Sequence, residues 1–157
     1  MAHLQARLPK RRQVSRSKLV AALDTAFSQW VRLSGADSFG RQQCWTCGAV
    51  KHWKEMDAGH FQTRAKYATR WDPLNVKPQC KHCNLTNAGH QYQFGLNLDR
   101  KYGPGTAWAV QVRSNQSARF STHDLETMIA EFRAKVRELE SNGEAFSLGK
   151  NQSSSSE

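Results

Sequence analysis

Apolar side chains recur at helical spacing in two segments, one near each end of the chain. The first segment follows Ser17, a candidate N-cap, and ends at Gly35. Its apolar residues share one helical face: Leu19, Leu23, Phe27, Trp30 and Val31. The second segment begins at Ser121, where Asp124 completes a capping pattern. Its apolar residues keep the helical period for about four turns: Leu125, Met128, Ile129, Phe132, Val136 and Leu139. These patterns predict two amphipathic helices, the second packing against the first or against another subunit.

The length of 157 residues is typical of a single domain. Residues 1–16 carry many charges and few apolar side chains, so we predict a flexible basic arm there. Residues 17–141 are predicted to form the folded domain, and the polar composition of residues 142–157 predicts a disordered tail. No stretch is long and apolar enough to span a bilayer, so we expect a cytoplasmic protein.

The charge of the chain is strongly positive and unevenly distributed. The sequence has 23 Lys and Arg residues against 13 Asp and Glu residues, a net charge of +10. The excess lies in the first two thirds, because the segment after Pro104 is close to neutral. Such a distribution favours binding to nucleic acid over a purely solubilising role, a membrane surface or an acidic protein.

The four cysteines form two C-x-x-C pairs, which indicates a metal site. Cys44 and Cys47 make the first pair, and Cys80 and Cys83 make the second. Four thiolates in this arrangement are typical of a closed, tetrahedral, structural zinc site. Two disulfides or a redox-active pair are the alternatives, although disulfides are disfavoured in the cytoplasm.

The segment between and after the cysteine pairs predicts the order strand, loop, strand, helix. One short extended segment ends near His60, a basic loop follows, and a second extended segment ends at Cys80. A helix is predicted from Asn84 to about Lys101, where Gly103 and the proline after it stop it.

This layout resembles the ββα-metal nucleases, also called HNH or His-Me finger nucleases, and within them the lambdoid phage NinG, or Rap, recombination endonuclease family. The similarity extends from Ser17 to Glu140. The residues that carry it are Asp57-Ala-Gly-His-Phe61, Asn75, Gln79-Cys-x-x-Cys-Asn84, Gly89 and Tyr92. The layout is also similar to that of the junction resolvase endonuclease VII. The resemblance implies an α+β fold in which a ββα-metal core with a structural zinc site of four cysteines is flanked by N- and C-terminal α-helices. It also implies a phage protein acting in the host cytoplasm.

The resemblance implies specific roles for four residues. His60 would be the general base, since a neutral imidazole with a pKa near 6.5 can take a proton from water. Asn84 would hold a catalytic Mg²⁺ or Mn²⁺ ion. Gly59 stands where endonuclease VII has a carboxylate, so Asp57 could bind this metal, orient His60, or face outward, because alternation places residues 57 and 60 on opposite faces of a strand. Asn75 would fix the loop by hydrogen bonds to the backbone, or it is an ordinary turn residue.

The resemblance further implies a metal-dependent, structure-specific DNA endonuclease of phage recombination. It would cleave branched DNA, such as Holliday junctions and D-loops, to 5′-phosphate and 3′-hydroxyl ends, and a homodimer would supply two active sites. The alternatives are a non-catalytic zinc-stapled DNA-binding module and an HNH nuclease with another substrate. The basic residues expected to contact DNA are Arg11, Arg12, Arg64, Lys66, Arg70, Lys77 and Lys81.

Overall fold

The structure is a computed structural model that describes residues 14–149. The predicted arm lies almost entirely outside this range, including Arg11 and Arg12. The α-helices and β-strands of the described range are, in chain order, α1 (Arg16–Leu33), β1 (Arg41–Gln43), β2 (Val50–His52), β3 (Met56–His60), β4 (Val76–Cys80), α2 (Lys81–Leu85), α3 (Asn87–Tyr102), α4 (Thr106–Ser114) and α5 (Thr122–Gly149). The presence of both helices and strands confirms the predicted α+β class. No helix in the described range is long and apolar enough to cross a bilayer.

The two predicted amphipathic helices are confirmed, and they pack against each other. Helix α1 begins slightly earlier than expected, with Ser15 at the N-cap position in place of Ser17. At α5 the predicted capping pattern is present, since the Asp124 N–H donates to the Ser121 hydroxyl at 3.1 Å and the Ser121 N–H donates to the Asp124 carboxylate at 2.7 Å. The main core unites residues from α1 and α5 with two from the segment at the start of β4: Leu19, Leu23, Ala26, Phe27, Val31, Trp71, Val76, Leu125, Ile129 and Phe132.

Helix α5 packs within the chain, which is one of the two predicted alternatives, and its backbone is helical further than expected. Its apolar stripe is buried within the chain from Leu125 to Phe132, so this part of the stripe is core and is not free to serve as a subunit interface. The backbone of α5 remains helical to Gly149, beyond the predicted start of the tail at residue 142. Residues 150–157 lie outside the described range.

Two small antiparallel hairpins position the cysteines and the candidate site. Strands β1 and β2 pair on either side of the first C-x-x-C turn, with Gln43 opposite Val50. Strands β3 and β4 pair from Met56 opposite Cys80 to His60 opposite Val76. The second C-x-x-C pair therefore starts at the end of β4 and continues directly into α2.

The prediction of one continuous helix from Asn84 to Lys101 is wrong between Leu85 and His90. Helix α2 ends at Leu85, and four consecutive residues then have positive φ angles between 45° and 76°: Asn87, Ala88, Gly89 and His90. Only the part of α3 after His90 is a regular right-handed helix. A left-handed turn therefore separates Asn84 from the rest of the predicted helix.

Helix α4 was not predicted from the sequence. Only two of its nine residues, Val110 and Ser114, are buried, so its apolar pattern is weak. Val110 joins Phe61, Phe94 and Leu98 in a separate apolar cluster. This cluster fixes α3 and α4 beside the end of β3.

Candidate functional site

The four cysteine sulfur atoms meet in one cluster. All four Sγ atoms lie within 4.8 Å of one another, and those of Cys47 and Cys80 are 3.9 Å apart. Four sulfurs bound tetrahedrally to zinc at about 2.3 Å would be separated by about 3.8 Å, so the cluster has the size and the donor chemistry of a zinc site. Cys44, Cys80 and Cys83 are buried and Cys47 is exposed.

The environment of the cysteines prepares one of them to be a thiolate. Burial alone would raise the pKa of Cys44, but backbone N–H groups of Cys47, Cys80 and Thr46 donate to its sulfur and lower the pKa to about 7. Burial and hydrogen bonds with the neighbouring thiols raise the pKa of Cys83. A bound cation would overcome this cost, because zinc ligation keeps cysteines deprotonated.

Two oxygen-bearing side chains meet beside the cysteine cluster. The Asn84 amide, on α2, donates from Nδ2 to the Asp57 carboxylate, on β3, at 3.1 Å. Both residues are half-buried. This contact leaves the Asn84 Oδ1 atom and one Asp57 oxygen available for another partner. The sequence alone left the orientation of Asp57 open, and the structure directs it towards Asn84.

Gln79 lies on the same face and was not predicted as a site residue. It is directly opposite Asp57 in the hairpin and is completely buried. Its Nε2 atom donates to the Thr46 hydroxyl at 2.6 Å and to the Gly89 carbonyl at 2.9 Å, whereas its Oε1 atom has no hydrogen-bond partner among the described residues. The Gln79 side chain fills the space beside Gly59, where any Cβ atom would collide with it. The absence of a carboxylate at position 59 is therefore accounted for by the space that Gln79 occupies.

His60 lies on the other face of strand β3, as strand alternation predicts. Its Nε2 atom is 3.1 Å from the Arg70 carbonyl oxygen, and its Nδ1 atom is 3.3 Å from the Ala58 carbonyl oxygen. Burial lowers the pKa of His60, and the hydrogen bonds to the two carbonyls offset this effect only in part. The imidazole is therefore neutral at pH 7, and its one N–H can serve only one of the two carbonyls. The structure does not bring the His60 ring into hydrogen-bond contact with Asp57 or Asn84.

Asn75 fixes the loop between β3 and β4, as its predicted role requires. It is completely buried, and its Oδ1 atom accepts a hydrogen bond from the Gln62 N–H at 2.6 Å. Its Nδ2 atom donates to the carbonyls of Gln62 and Thr69, both at 2.9 Å. The side chain satisfies three backbone groups and so determines the path of the loop on which Arg70 faces His60.

Arg70 forms an ion pair and hydrogen bonds inside the protein, and its predicted contact with DNA stays a prediction. Its Nε and Nη2 atoms donate to the two carboxylate oxygens of Asp24 at 2.9 and 2.6 Å, and its Nη1 atom donates to the Arg64 carbonyl at 2.7 Å. Its side chain is only 15% exposed. Asp24 also accepts a hydrogen bond from the Trp71 indole at 2.9 Å. No sequence signal pointed to Asp24, because its partners lie 46 and 47 positions away.

The other predicted DNA contacts in the described range remain at the surface. Arg64, Lys66 and Lys81 are exposed, and Lys77 is half-buried. The Lys66 ammonium donates to the Asn115 side chain at 2.8 Å. Lys77 lies beside two aromatic rings on the face of the hairpin that carries Gln79. Three of these four residues therefore carry exposed positive charge.

Comparisons with known proteins place the chain among phage proteins. A family model described as the bacteriophage lambda NinG protein matches residues 2–143. The protein ninG of Salmonella phage P22 is 24% identical over 120 residues, which cover 71% of this chain and 58% of that protein. The protein ninG of Escherichia phage lambda is 23% identical over 120 residues, with the same two coverages. The chain thus spans about three fifths of the length of these curated relatives. No solved structure matches it.

Proposed function

The chain belongs to the NinG family, and from that premise we propose that it is a divalent-metal-dependent DNA endonuclease of the ββα-metal (HNH) class. The observation that carries this proposal is the contact between Asn84 and Asp57. It joins an amide on α2 to a carboxylate on β3, the strand that ends at a neutral histidine. Metal-assisted hydrolysis of a phosphodiester needs these two components, a site for a cation and a proton acceptor.

The oxygen donors on the Asp57 face suit Mg²⁺ or Mn²⁺. These ions prefer carboxylate and amide oxygens and leave most of their coordination positions to water and substrate. Asp57 and Asn84 would hold the ion, and the unpartnered, buried Gln79 Oε1 atom adds a third oxygen on that face. When bound, the ion would offset the negative charge that develops on the phosphate group and on the departing 3′ oxygen.

His60 would act as the proton acceptor from the end of β3. The Arg70 carbonyl can accept the one N–H of the neutral ring, so that the other ring nitrogen keeps its lone pair. This nitrogen would take a proton from the attacking water as the bond to the 3′ oxygen breaks. The side chains of His60 and Asp57 leave β3 on opposite faces, so the reaction requires the imidazole to turn towards the scissile phosphate when DNA binds. The products would carry 5′-phosphate and 3′-hydroxyl ends.

The cationic surface supports DNA as the polymer that is cut. Arg64, Lys66 and Lys81 present exposed positive charge around the hairpin, and we extend the proposal to branched DNA as the preferred substrate. Two symmetric cuts in a four-way junction require two active sites, so the proposal includes a homodimer. Its interface would lie outside the buried part of the α5 stripe.

The second candidate function is a zinc-stapled DNA-binding module without catalysis. It is favoured by the position of His60, whose two ring nitrogens both face backbone carbonyls. The internal ion pair of Arg70 with Asp24 also gives this region a structural purpose. In a module of this kind His60 would only hold the loop in place.

Removal of the His60 imidazole distinguishes between the two candidate functions. We expect the zinc-loaded protein to cut a labelled four-way junction in Mg²⁺, and to cut linear duplex and single strand more slowly. His60→Ala should lower the cleavage rate by a factor of about 100 or more, which is typical for a lost general base, while junction affinity stays within a few fold. His123→Ala, at an exposed histidine on α5, is the matched control and should cut like the parent protein.

Two results would contradict the proposal. One is the absence of cleavage by the parent protein in both Mg²⁺ and Mn²⁺. The other is an equal loss of binding and cleavage in His60→Ala, which would favour the binding module.

A further inference from the structure

A groove that Cys44 and Cys47 of the cysteine cluster also line combines positive charge with aromatic rings. It has a volume of about 1230 Å³, and the residues that line it include Trp45, Lys77, Arg100, Lys101 and Tyr102. We refer to these five residues as the cationic groove. The Trp45 and Tyr102 rings are stacked, with centroids 6.2 Å apart and planes inclined by 21°.

Two ammonium groups of the cationic groove share the same pair of rings. The Lys77 Nζ atom is 5.1 Å from the Trp45 ring centroid and 4.6 Å from that of Tyr102. The Lys101 Nζ atom is 5.7 and 5.9 Å from the same two centroids. Lys77 also donates to the Tyr102 hydroxyl at 2.6 Å. The two like charges are therefore held close together, with Arg100 beside them in the chain.

No carboxylate compensates these charges in the part of the chain that the structure describes. The ion pairs there involve Arg41, Arg70 and Arg113, and none involves Lys77, Arg100 or Lys101. Asp37, the acidic residue that lines the same groove, is already paired with Arg41. Like charges gathered without a counter-charge on a concave surface favour an anionic ligand.

The aromatic rings indicate which anion fits. Tyr102 is 45% exposed, so part of its ring is accessible to a ligand, whereas Trp45 is held in place by its indole N–H, which donates to the Phe94 carbonyl at 3.2 Å. A duplex offers only phosphates to such a site because its bases are stacked on each other. An unpaired nucleotide offers both a phosphate and a free base face.

We infer that the cationic groove binds an unpaired segment of nucleic acid, with a base on Tyr102 and phosphates on Lys77, Arg100 and Lys101. The groove adjoins the face that carries Asp57, because Thr46, which also lines it, accepts the hydrogen bond from Gln79. The inference extends the proposed function by assigning a place to single-stranded DNA next to the candidate metal site.

The test measures binding alone, so it does not depend on cleavage. Zinc-loaded protein without added Mg²⁺ is titrated into a labelled oligothymidylate of about 12 nucleotides, a length within the usual site sizes. An abasic strand of equal length and a duplex serve as comparison ligands. The variants are Lys77→Gln with Lys101→Gln, Tyr102→Leu and Tyr102→Phe. The control is Arg133→Gln with Arg137→Gln, which removes two exposed charges from α5.

We expect three quantitative results. The lysine pair should weaken oligothymidylate binding at least about tenfold and should make the slope of log K against log salt shallower by about 1.4, which is about 0.7 for each phosphate that the variant no longer neutralises. Tyr102→Leu should weaken oligothymidylate binding about tenfold and leave abasic-strand binding unchanged, whereas Tyr102→Phe should have little effect. The control pair should change affinity less than about threefold.

Three results would overturn the inference. The first is a control pair as damaging as the lysine pair, and the second is an unchanged salt slope in the lysine variant. The third is equal sensitivity of the abasic strand and the oligothymidylate to Tyr102→Leu. Because Tyr102→Leu removes a half-exposed ring, its melting temperature and the intact Tyr102→Phe variant together distinguish lost stacking from lost folding. Failure of the nuclease proposal would leave these binding results unchanged.

Discussion

Among single residues, Asp24 has the most consequential set of contacts outside the cysteine cluster. Its carboxylate accepts two hydrogen bonds from Arg70 and one from Trp71, and it thereby ties α1 to the loop that faces His60. Burial alone would raise the pKa of Asp24, but these hydrogen bonds outweigh it and hold the pKa below its ordinary value. Its contribution to folding is therefore present when the carboxyl is ionised.

Asp24→Asn should lower the free energy of unfolding by about 2 kcal/mol at pH 7. This loss lies between those typical of exposed and of fully buried ion pairs. A carboxyl with a lowered pKa stabilises the fold above its unfolded pKa, and this stabilisation is lost as the pH falls through the folded pKa. The difference between parent and variant should therefore shrink below about pH 4. Urea unfolding over a pH series measures this. Asp37→Asn, at the exposed pair with Arg41, is the control and should cost much less. If the free energies of unfolding of the parent and of Asp24→Asn still differed at pH 2, the stabilising role of the ionised Asp24 carboxylate would be contradicted.

At the scale of secondary-structure elements, local sequence patterns predicted the two long helices correctly. They did not predict the turn whose conformation depends on contacts between residues far apart in the sequence. Helices α1 and α5 follow from the periodic burial of one face, which neighbouring residues in the sequence reveal. The left-handed turn at Asn87–His90 is not visible in this way, because Gly89 is its only glycine. The Gln79 amide, ten positions earlier, donates to the Gly89 carbonyl and supports this turn. The motif supplied the candidate site residues, whereas the contact of Asp57 with Asn84 and the orientation of His60 became visible only in the tertiary structure.

Replacing Ala88 with glycine should stabilise the protein. A left-handed conformation costs a non-glycine residue about 1–2 kcal/mol, whereas the extra chain entropy of glycine costs about 0.5–1 kcal/mol. Ala88→Gly should therefore raise the free energy of unfolding by about 0.5 kcal/mol. Ala134→Gly, at an exposed position inside α5, is the matched control and should lower it by about 1 kcal/mol. Chemical denaturation of both variants provides the comparison, and destabilisation of equal size at the two positions would show that the turn is not strained.

For the whole molecule, the four-cysteine cluster joins parts of the chain that share little other core. Cys44 and Cys47 come from the β1–β2 hairpin, whereas Cys80 and Cys83 come from the end of β4 and from α2. Three of these cysteines form with Met56 a small buried cluster separate from the main core. Zinc bound there would stabilise the fold, because ligation in small sites of this kind is coupled to folding. The proposed catalytic ion has a different role and a weaker set of ligands.

A chelator should remove the two metal ions at different rates. Addition of EDTA should stop cleavage at once by removing Mg²⁺, whereas loss of zinc from the closed thiolate site should follow much more slowly and be accompanied by unfolding. Cleavage assays, near-ultraviolet circular dichroism and a zinc-sensitive dye measured on the same sample follow the three events. Restoring Mg²⁺ early should restore cleavage. Simultaneous loss of activity, structure and zinc would contradict this division between the two metals.

In the proposed function, His60 and the Asp57–Asn84 pair act as one catalytic site although the side chains of His60 and Asp57 leave β3 on opposite faces. Residues that act as a unit in catalysis have strongly non-additive effects on rate. The most direct test is the single-turnover cleavage rate of a labelled junction by the parent protein, His60→Ala, Asp57→Ala and the double variant. Each single variant should cut about 100-fold more slowly or worse, and the double variant should be little slower than the slower single variant. Multiplicative losses, or a parental rate in either single variant, would contradict the proposed function.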